Sequence, residues 1–234
     1  MNHFLKMPIK KTFLAIAGVL VAFCGIRAAA PAARSIAFRE IESGIEKTAS
    51  YSITRNQSGY SVSITTIKGN EQIIEELVCD SAWRTIRWHY RSAVNSTDLV
   101  AQRSGDSIGL SGLMHGKQVS KILSIDGNPW YQLVTMAMQT IAADSAIKAK
   151  YWAVSIEGLA VLKAVPFRVA AIVNTPLPGR PELLCRRVQA RLDGIFGRFW
   201  DGYYFIRSDN GSFVHYEGYR LGSKGIYGTI DILQ

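Results

Sequence analysis

Along most of the chain, apolar and polar residues alternate with a period of two. Rows of this kind begin at Tyr60, Ile86, Val165 and Leu184, and at least nine can be counted. Such alternation is typical of strands with one buried face. Short turn sequences separate the rows, among them Asn210-Gly211, a pair that strongly favours a hairpin. The pattern therefore predicts a long antiparallel meander.

One segment follows helical spacing instead. Asn128 can cap a helix, Pro129 suits its first position, and apolar residues then recur every three or four positions as far as Asp144. The sequence therefore predicts one helix near residues 129–144. We expect this helix to pack on the sheet, because the dry face of the sheet is the only apolar surface on offer.

A sheet of about eight to eleven strands accumulates twist and curls. The fold class that we expect is therefore mainly β: a strongly curved antiparallel sheet, either a half-barrel or an incomplete barrel, with the inserted helix at its mouth. No low-complexity linker divides residues 30–234. We expect this region to form a single domain.

The first thirty residues have a different character. A basic start containing Lys10 and Lys11 precedes an uncharged run over residues 12–26, and a run of alanines follows. This is the pattern of a secretory signal peptide, and the run is shorter than the roughly 18 residues that a spanning helix needs. Residues 1–29 are therefore predicted to be a cleaved signal peptide, and the protein to be periplasmic.

Cys24 would be a site of lipid attachment if the leader were that of a lipoprotein. The residue before it is Phe23, a bulky side chain at a position where lipoprotein leaders carry a small one. We therefore do not expect anchoring through Cys24, and any contact with a membrane would be peripheral.

The charge of the chain argues against one class of partner. Its 27 basic and 18 acidic residues give a formal net charge of +9, and four of the basic residues lie in the leader, which leaves +5. The rest are scattered and not clustered on one face, so a nucleic-acid partner is not expected. The arginines around Arg87 and Arg187 are either a solvated strand face or a contact for an anionic head group met outside the cytoplasm.

Two cysteines, Cys79 and Cys185, remain once the leader is removed. An even number in an oxidising compartment is compatible with one disulfide, and the alternative is two buried free thiols. We predict a disulfide between Cys79 and Cys185, because an exported thiol that is left free is prone to oxidation.

The closing strands carry a resemblance to a known family. The segments Phe199-Trp200-Asp201-Gly202-Tyr203-Tyr204-Phe205 and Phe213-Val214-His215-Tyr216-Glu217-Gly218 follow a leader, a long meander and an inserted helix. In this arrangement the chain is similar to the bacterial periplasmic lipoprotein-carrier half-barrels and their uncharacterised relatives. The resemblance implies that acyl chains are held between sheet and helix, and that a lipid or lipoprotein is ferried toward the outer membrane. It brings no individual functional residue with it.

No catalytic motif is found in the sequence, and we expect neither a metal nor a cofactor. The histidines after the leader lack the short spacings of zinc sites. Asp201 and Glu217 lie among aromatic residues of the kind on which sugars stack, which suggests a glycan hydrolase. The alternative is that they are edge charges on a solvated hairpin.

The expected function is binding or carriage of a hydrophobic ligand, a lipid or an acyl chain, between sheet and helix. Burial would supply the affinity, at about 0.8 kcal/mol per methylene. The candidate lining residues are Trp88, Tyr90, Trp130, Phe167 and Val169. Two alternatives stay open: a non-catalytic structural or assembly factor of the envelope that acts through a protein partner, and a hydrolase of envelope glycans.

Overall fold

The segments that alternate with a period of two form strands. A computed structural model describes residues 33–144, 149–157, 161–194, 200–219 and 227–233, which belong to one compact unit. The strands in these ranges are β1 (Arg34–Glu42), β2 (Ile45–Asn56), β3 (Gly59–Lys68), β4 (Glu71–Asp80), β5 (Thr85–Ser92), β6 (Thr97–Ser104), β7 (Ser107–Met114), β8 (Lys117–Ser124), β9 (Lys150–Glu157), β10 (Val161–Leu177), β11 (Arg180–Leu192), β12 (Asp201–Arg207), β13 (Phe213–Tyr219) and β14 (Tyr227–Leu233). The predicted signal peptide and Cys24 lie outside the described residues, as does Phe199 of the closing segments.

All fourteen strands belong to one antiparallel sheet in the order β8-β7-β6-β5-β4-β3-β2-β1-β14-β13-β12-β11-β10-β9. Chain neighbours pair as hairpins throughout each half, and the two halves join where β1 pairs with β14. The sheet has two edges, β8 and β9. The expected mainly β fold with a curved antiparallel sheet is confirmed, with more strands than the eight to eleven expected.

The alternation places one row of each strand in a common core. In β2, Ala49, Tyr51 and Ile53 are buried while the residues between them are exposed or half-buried. On the next strand Phe38 meets Tyr51 edge to face, with ring centroids 4.6 Å apart. Each large apolar side chain buried in this way stabilises the fold by roughly 1.5–3 kcal/mol. This buried row defines the inner face of the sheet.

The helix α1 spans Val134–Ala142, nine residues, and is the inserted helix among the described residues. The predicted start at 129 is wrong. Asn128 does not cap the helix, because α1 begins six residues later. Its backbone N–H donates instead to Asp126 Oδ1 at 2.9 Å, and its side-chain amide donates to Asp126 Oδ2 at 2.7 Å. Leu133 stands at the N-terminal cap position and provides no side-chain hydrogen bond.

The residues before the helix are held by strand β9 instead. The N–H of Trp152 donates to the carbonyl of Pro129 at 2.8 Å, and the N–H of Tyr131 donates to the carbonyl of Trp152 at 2.8 Å. These bonds keep the segment extended, and tertiary pairing of this kind overrides the local helical preference.

The other end of the helix is capped by a side chain from the sheet. Arg186 Nη1, on β11, donates to the carbonyl oxygens of Ala142 at 2.6 Å and Ala143 at 3.1 Å. A cation suits the last carbonyls of a helix, which lack partners within the helix and carry the negative end of its dipole. The apolar face of α1 packs on β11, β12 and β13.

The predicted disulfide between Cys79 and Cys185 is wrong. Both residues are free, buried thiols. Cys79 lies in the main core on the inner face, whereas Cys185 packs with Leu177 and Phe205 in a separate cluster. The inward positions on β11 are those of Val188 and Ala190, so the alternation turns Cys185 to the outer face. Two thiols on opposite faces of one sheet cannot approach bonding distance.

Candidate functional site

A cavity of about 440 Å³ lies between the inner face of the sheet and the first turn of α1. Its walls come from β1, β2, β4 and β5 on one side and from β9 and β12–β14 on the other, so the sheet curls around it. A second hollow of about 270 Å³ adjoins it and shares five lining residues with it. We call the two the main chamber and the side chamber of one sheet–helix cleft.

Carboxylates outnumber cations along the cleft. The charged lining residues are Glu40, Glu42, Glu75 and Lys47 in the main chamber, with Glu71 and Lys68 added by the side chamber. Four carboxylates against two ammonium groups give this described lining a formal charge of −2. One pair, Lys47 with Glu42, forms an ion pair. Glu40 is only 8% exposed, which is unusual for a glutamate on a strand.

Two aromatic residues of β5 share the region of these carboxylates. Trp88 Nε1 donates a hydrogen bond to Glu75 Oε2 at 2.7 Å. Burial, followed by the charges of Glu75 and Glu71, raises the pKa of Tyr90 to about 12. The hydroxyl of Tyr90 therefore stays protonated and can donate a hydrogen bond at any physiological pH.

Six aromatic side chains line the main chamber: Tyr51, Trp88, Tyr90, Trp200, Tyr204 and Tyr216. Neighbouring rings are tilted to each other, at 60° for Trp88 with Tyr90 and at 50° for Tyr204 with Tyr216. Aromatic rings supply large apolar area together with a partial negative charge on each face. The chamber can therefore contact both apolar and positively charged groups.

Tyr216 is held in its place by a glycine and a hydrogen bond. A Cβ atom at Gly202 would lie 2.7 Å from Tyr216 Cε2, so only glycine lets the ring lie close to the backbone of β12. The Tyr216 hydroxyl donates to the carbonyl of Tyr219 at 2.6 Å. The ring is thus positioned at the wall of the chamber by its own hairpin.

Three buried polar atoms in the lining find no hydrogen-bond partner among the described residues: Thr135 Oγ1, Ser155 Oγ and Trp200 Nε1. Thr135 is 7% exposed and Ser155 is 2% exposed. Buried polar groups are satisfied in the large majority of cases, and each exception calls for a reason. Three such atoms border one chamber, where water or a bound molecule could supply the missing partners.

Two of the sequence-predicted lining residues, Trp88 and Tyr90, line this chamber. Trp130, Phe167 and Val169 are buried in the core and are not among the residues that line either chamber. The cleft therefore brings together only part of the predicted set.

The rings of Trp130 and Phe167 are used in packing. Trp130 is fully buried, and its Nε1 donates to Gln132 Oε1 at 3.1 Å. Phe167 stacks on Tyr151 with centroids 5.2 Å apart and meets the ring of Trp200 edge to face at 4.9 Å. The side chains of Trp130 and Phe167 belong to the hydrophobic core and do not border the cleft.

No protein-family model matches the chain, and no curated protein matches it in sequence. The geometry of the cleft is what bears on function.

Within the described ranges, no group of three or more histidine, cysteine, aspartate or glutamate side chains is placed to hold a metal ion. None of the helices in the described part of the chain has the length and apolar character to cross a bilayer.

Asp201 and Glu217 lie on the outer face of the sheet and not in the cleft. Tyr203 sits directly opposite Glu217, and its hydroxyl donates to Asp201 Oδ2 at 2.9 Å. The alternation that turns Tyr204 and Tyr216 inward turns these residues outward. The two carboxylates therefore do not border the sheet–helix cleft.

Sequence reasoning missed the inward carboxylates, although a signal for them exists. Glu40 lies two residues after Phe38, and Glu75 lies two residues before Leu77; both apolar neighbours are buried in the core. A period of two puts each pair on one face. A glutamate in register with a buried row therefore marks the polar side of the cleft.

Proposed function

We propose that this protein binds an amphipathic small molecule in the sheet–helix cleft and acts as a non-catalytic binding or carrier protein of the periplasm. The observation that carries the proposal is the main chamber, whose 440 Å³ lies in the range of known ligand sites, roughly 300–1,000 Å³. The chamber is bordered by apolar, aromatic and carboxylate side chains together. A ligand with one apolar and one polar end fits such a lining.

The apolar end of the ligand would lie against the helix side of the chamber. The apolar lining residues are Leu133 at the N-terminal cap position of α1, Val134 at its first residue, Ala153 and Ile156 of β9, and Ile230 of β14. Each methylene that leaves water for this surface contributes about 0.8 kcal/mol. The ligand is therefore expected to be a lipid or another molecule with an acyl or alkyl portion.

The ends of α1 differ in a way that suits ligand entry. The C-terminal end is held by Arg186, whereas the N-terminal end, which borders the chamber, has no side-chain cap. Gln132, just before the helix, is bonded to Thr85 and Val154, so entry would require these bonds to open. An outward movement of the first turn would then widen the chamber while the last turn stays bonded to β11. Displacement of this turn is the proposed route of entry.

The direct test is the lipid content of the purified protein. Protein isolated from the periplasm is extracted with organic solvent, and the extract is compared by mass spectrometry with that of an unrelated periplasmic protein. We expect an amphipathic compound in stoichiometric amount. An extract no richer than that of the unrelated protein would contradict the proposal and favour the alternative of an assembly factor that acts through a protein partner.

A cavity-filling variant separates binding in the chamber from binding elsewhere. Ala153→Phe places a ring in the chamber, because Ala153 is buried and lines it. Ala170→Phe, at an exposed position of β10, is the matched control. We expect the first variant to lose the extracted compound and the second to keep it. Val134→Phe serves the same purpose from the helix if Ala153→Phe does not fold.

Hydrolysis of an envelope glycan is a second candidate, favoured by the three carboxylates that share one chamber with six aromatic rings. Glycosidases use two carboxyl groups across the scissile bond. The test is release of reducing sugars from cell-wall fragments by the wild type, compared with Glu40→Gln and Glu75→Gln. Activity that both variants abolish would establish this candidate in place of carriage.

A further inference from the structure

We propose that the polar end of the ligand is an organic cation, an ammonium group bound by the carboxylates of the main chamber, among them Glu40 and Glu75, and by its aromatic walls. The inference rests on the proposed function, since it concerns the same cleft, and it names the class of head group. It replaces the anionic head group that the scattered arginines suggested from sequence.

The charge of the cleft is the first argument. The described lining carries four carboxylates and two lysines, and no arginine is found among its described residues. A phosphate or carboxylate head group would add to the existing negative charge in a partly buried place, where repulsion is poorly screened. A cation would lower that charge.

The aromatic walls are the second argument. The ring N–H of Trp88 donates a hydrogen bond to Glu75, which places a carboxylate beside an aromatic ring. The ring of Tyr90 is tilted against that of Trp88, with centroids 5.7 Å apart. A cation over an aromatic face gains about 0.5–1 kcal/mol when exposed and about 2 when desolvated. Carboxylate and ring together favour an ammonium group over a neutral one of the same size.

The unpartnered polar atoms are the third argument, and they are independent of the charge count. Thr135 Oγ1 and Ser155 Oγ lie in side chains more than nine-tenths buried, line the chamber and have no partner among the described residues. Either oxygen can accept from an ammonium N–H. Trp200 Nε1 can only donate, so the ligand should also carry an acceptor oxygen near its cationic group.

The test uses three probes with one alkyl chain and different head groups: dodecylammonium, whose head group carries N–H donors, dodecyl maltoside and dodecyl sulfate. Binding is followed by tryptophan fluorescence below the critical micelle concentration, with far-ultraviolet circular dichroism to check the fold. We expect the cationic probe to bind about tenfold more tightly than the neutral one, and the anionic probe to bind most weakly. The preference should shrink as salt is added.

Charge-removing variants assign the preference to the cleft. Glu40→Gln and Glu75→Gln should each reduce the preference for the cationic over the neutral probe several-fold, with the affinity for the neutral probe nearly unchanged. Glu46→Gln removes the same charge from an exposed position next to Lys47 and should leave the preference as it is.

The outcomes separate the two proposals. Equal binding of the three probes, or a preference that neither cleft variant alters, would overturn the cationic head group and leave amphipathic binding standing. Failure of all three probes to bind would contradict both.

Discussion

The thiol of Cys79 is a buried ionisable group in the main core. Its side chain is 1% exposed, and burial raises its pKa from 9.0 to about 11, with a smaller opposing effect from a hydrogen bond to Thr85. The folded protein therefore keeps this thiol protonated at pH values where the unfolded chain has released the proton. Stability from this group is complete below pH 9 and is lost as the pH rises to 11.

We expect the free energy of unfolding to fall between pH 9 and pH 11 by on the order of 2 kcal/mol on account of Cys79. The measurement is urea denaturation of the wild type and of Cys79→Ala across this range. The variant should be less stable at neutral pH but show a shallower decline with pH. Parallel declines would mean that Cys79 does not cause the loss.

At the scale of elements, the segment before α1 ties the edge strand β9 to β5. Gln132 Oε1 accepts from the N–H of Val154 at 3.1 Å, and Gln132 Nε2 donates to the carbonyl of Val154 at 3.2 Å. The backbone N–H of Gln132 donates to Thr85 Oγ1 at 2.9 Å. The Gln132 side chain thus satisfies free backbone groups of the edge strand β9, and the backbone N–H of the same residue ties it to β5 on the opposite side of the curled sheet.

We expect Gln132→Ala to lower the free energy of unfolding by about 3 kcal/mol, because it leaves buried donors and acceptors without partners. Gln139→Ala is the matched control, since Gln139 Nε2 donates to the thioether sulfur of Met136, a weak acceptor on the same helix, and the change should cost about 0.5 kcal/mol. Urea denaturation followed by tryptophan fluorescence measures both. Equal losses of unfolding free energy in the two variants would show that the Gln132 hydrogen bonds do not stabilise the fold more than the Gln139 contact does.

The helix shows where local reasoning from sequence stops. Its apolar spacing predicted an element at the right place, and Met138 and Ile141 are buried as that spacing requires. Its start could not be predicted, because Pro129 and Tyr131 bond to Trp152, about twenty residues later in the chain. The capping residues Asn128 and Pro129 describe only local hydrogen bonding. They cannot show that β9, a distant strand, will bind the same segment.

At the scale of the molecule, the same division between local and distant information applies. Alternation and turn residues predicted the hairpins. In the structure, Gly105 and Gly211 adopt the positive φ that their turns require. The pairing of β1 with β14 joins residues far apart in sequence, and no local pattern encodes it. The cleft lies where two distant parts of the curled sheet face each other. The residues that line it together with Glu40 therefore could not be predicted from the sequence of β1 alone.

The edge strand β8 has an inward-facing lysine that disfavours self-association. Lys121 lies opposite the buried Leu110 and so occupies an inward position between Val119 and Leu123 on a strand whose far side has no partner strand among the described residues. An inward-pointing charge on an edge strand makes pairing with a second copy costly. We therefore expect this lysine to disfavour pairing of β8 with a second copy of the chain.

We expect Lys121→Val to associate with itself, because it leaves an uninterrupted apolar row from Val119 to Leu123 on an unpaired edge. Ser120→Val introduces the same side chain at the neighbouring, exposed outer-face position and should behave as the wild type does. Light scattering coupled to size-exclusion chromatography, over a range of protein concentrations, measures the mean mass of each. A mass that rises with concentration for Lys121→Val alone supports the role of this lysine, and equal masses for the two variants would contradict it.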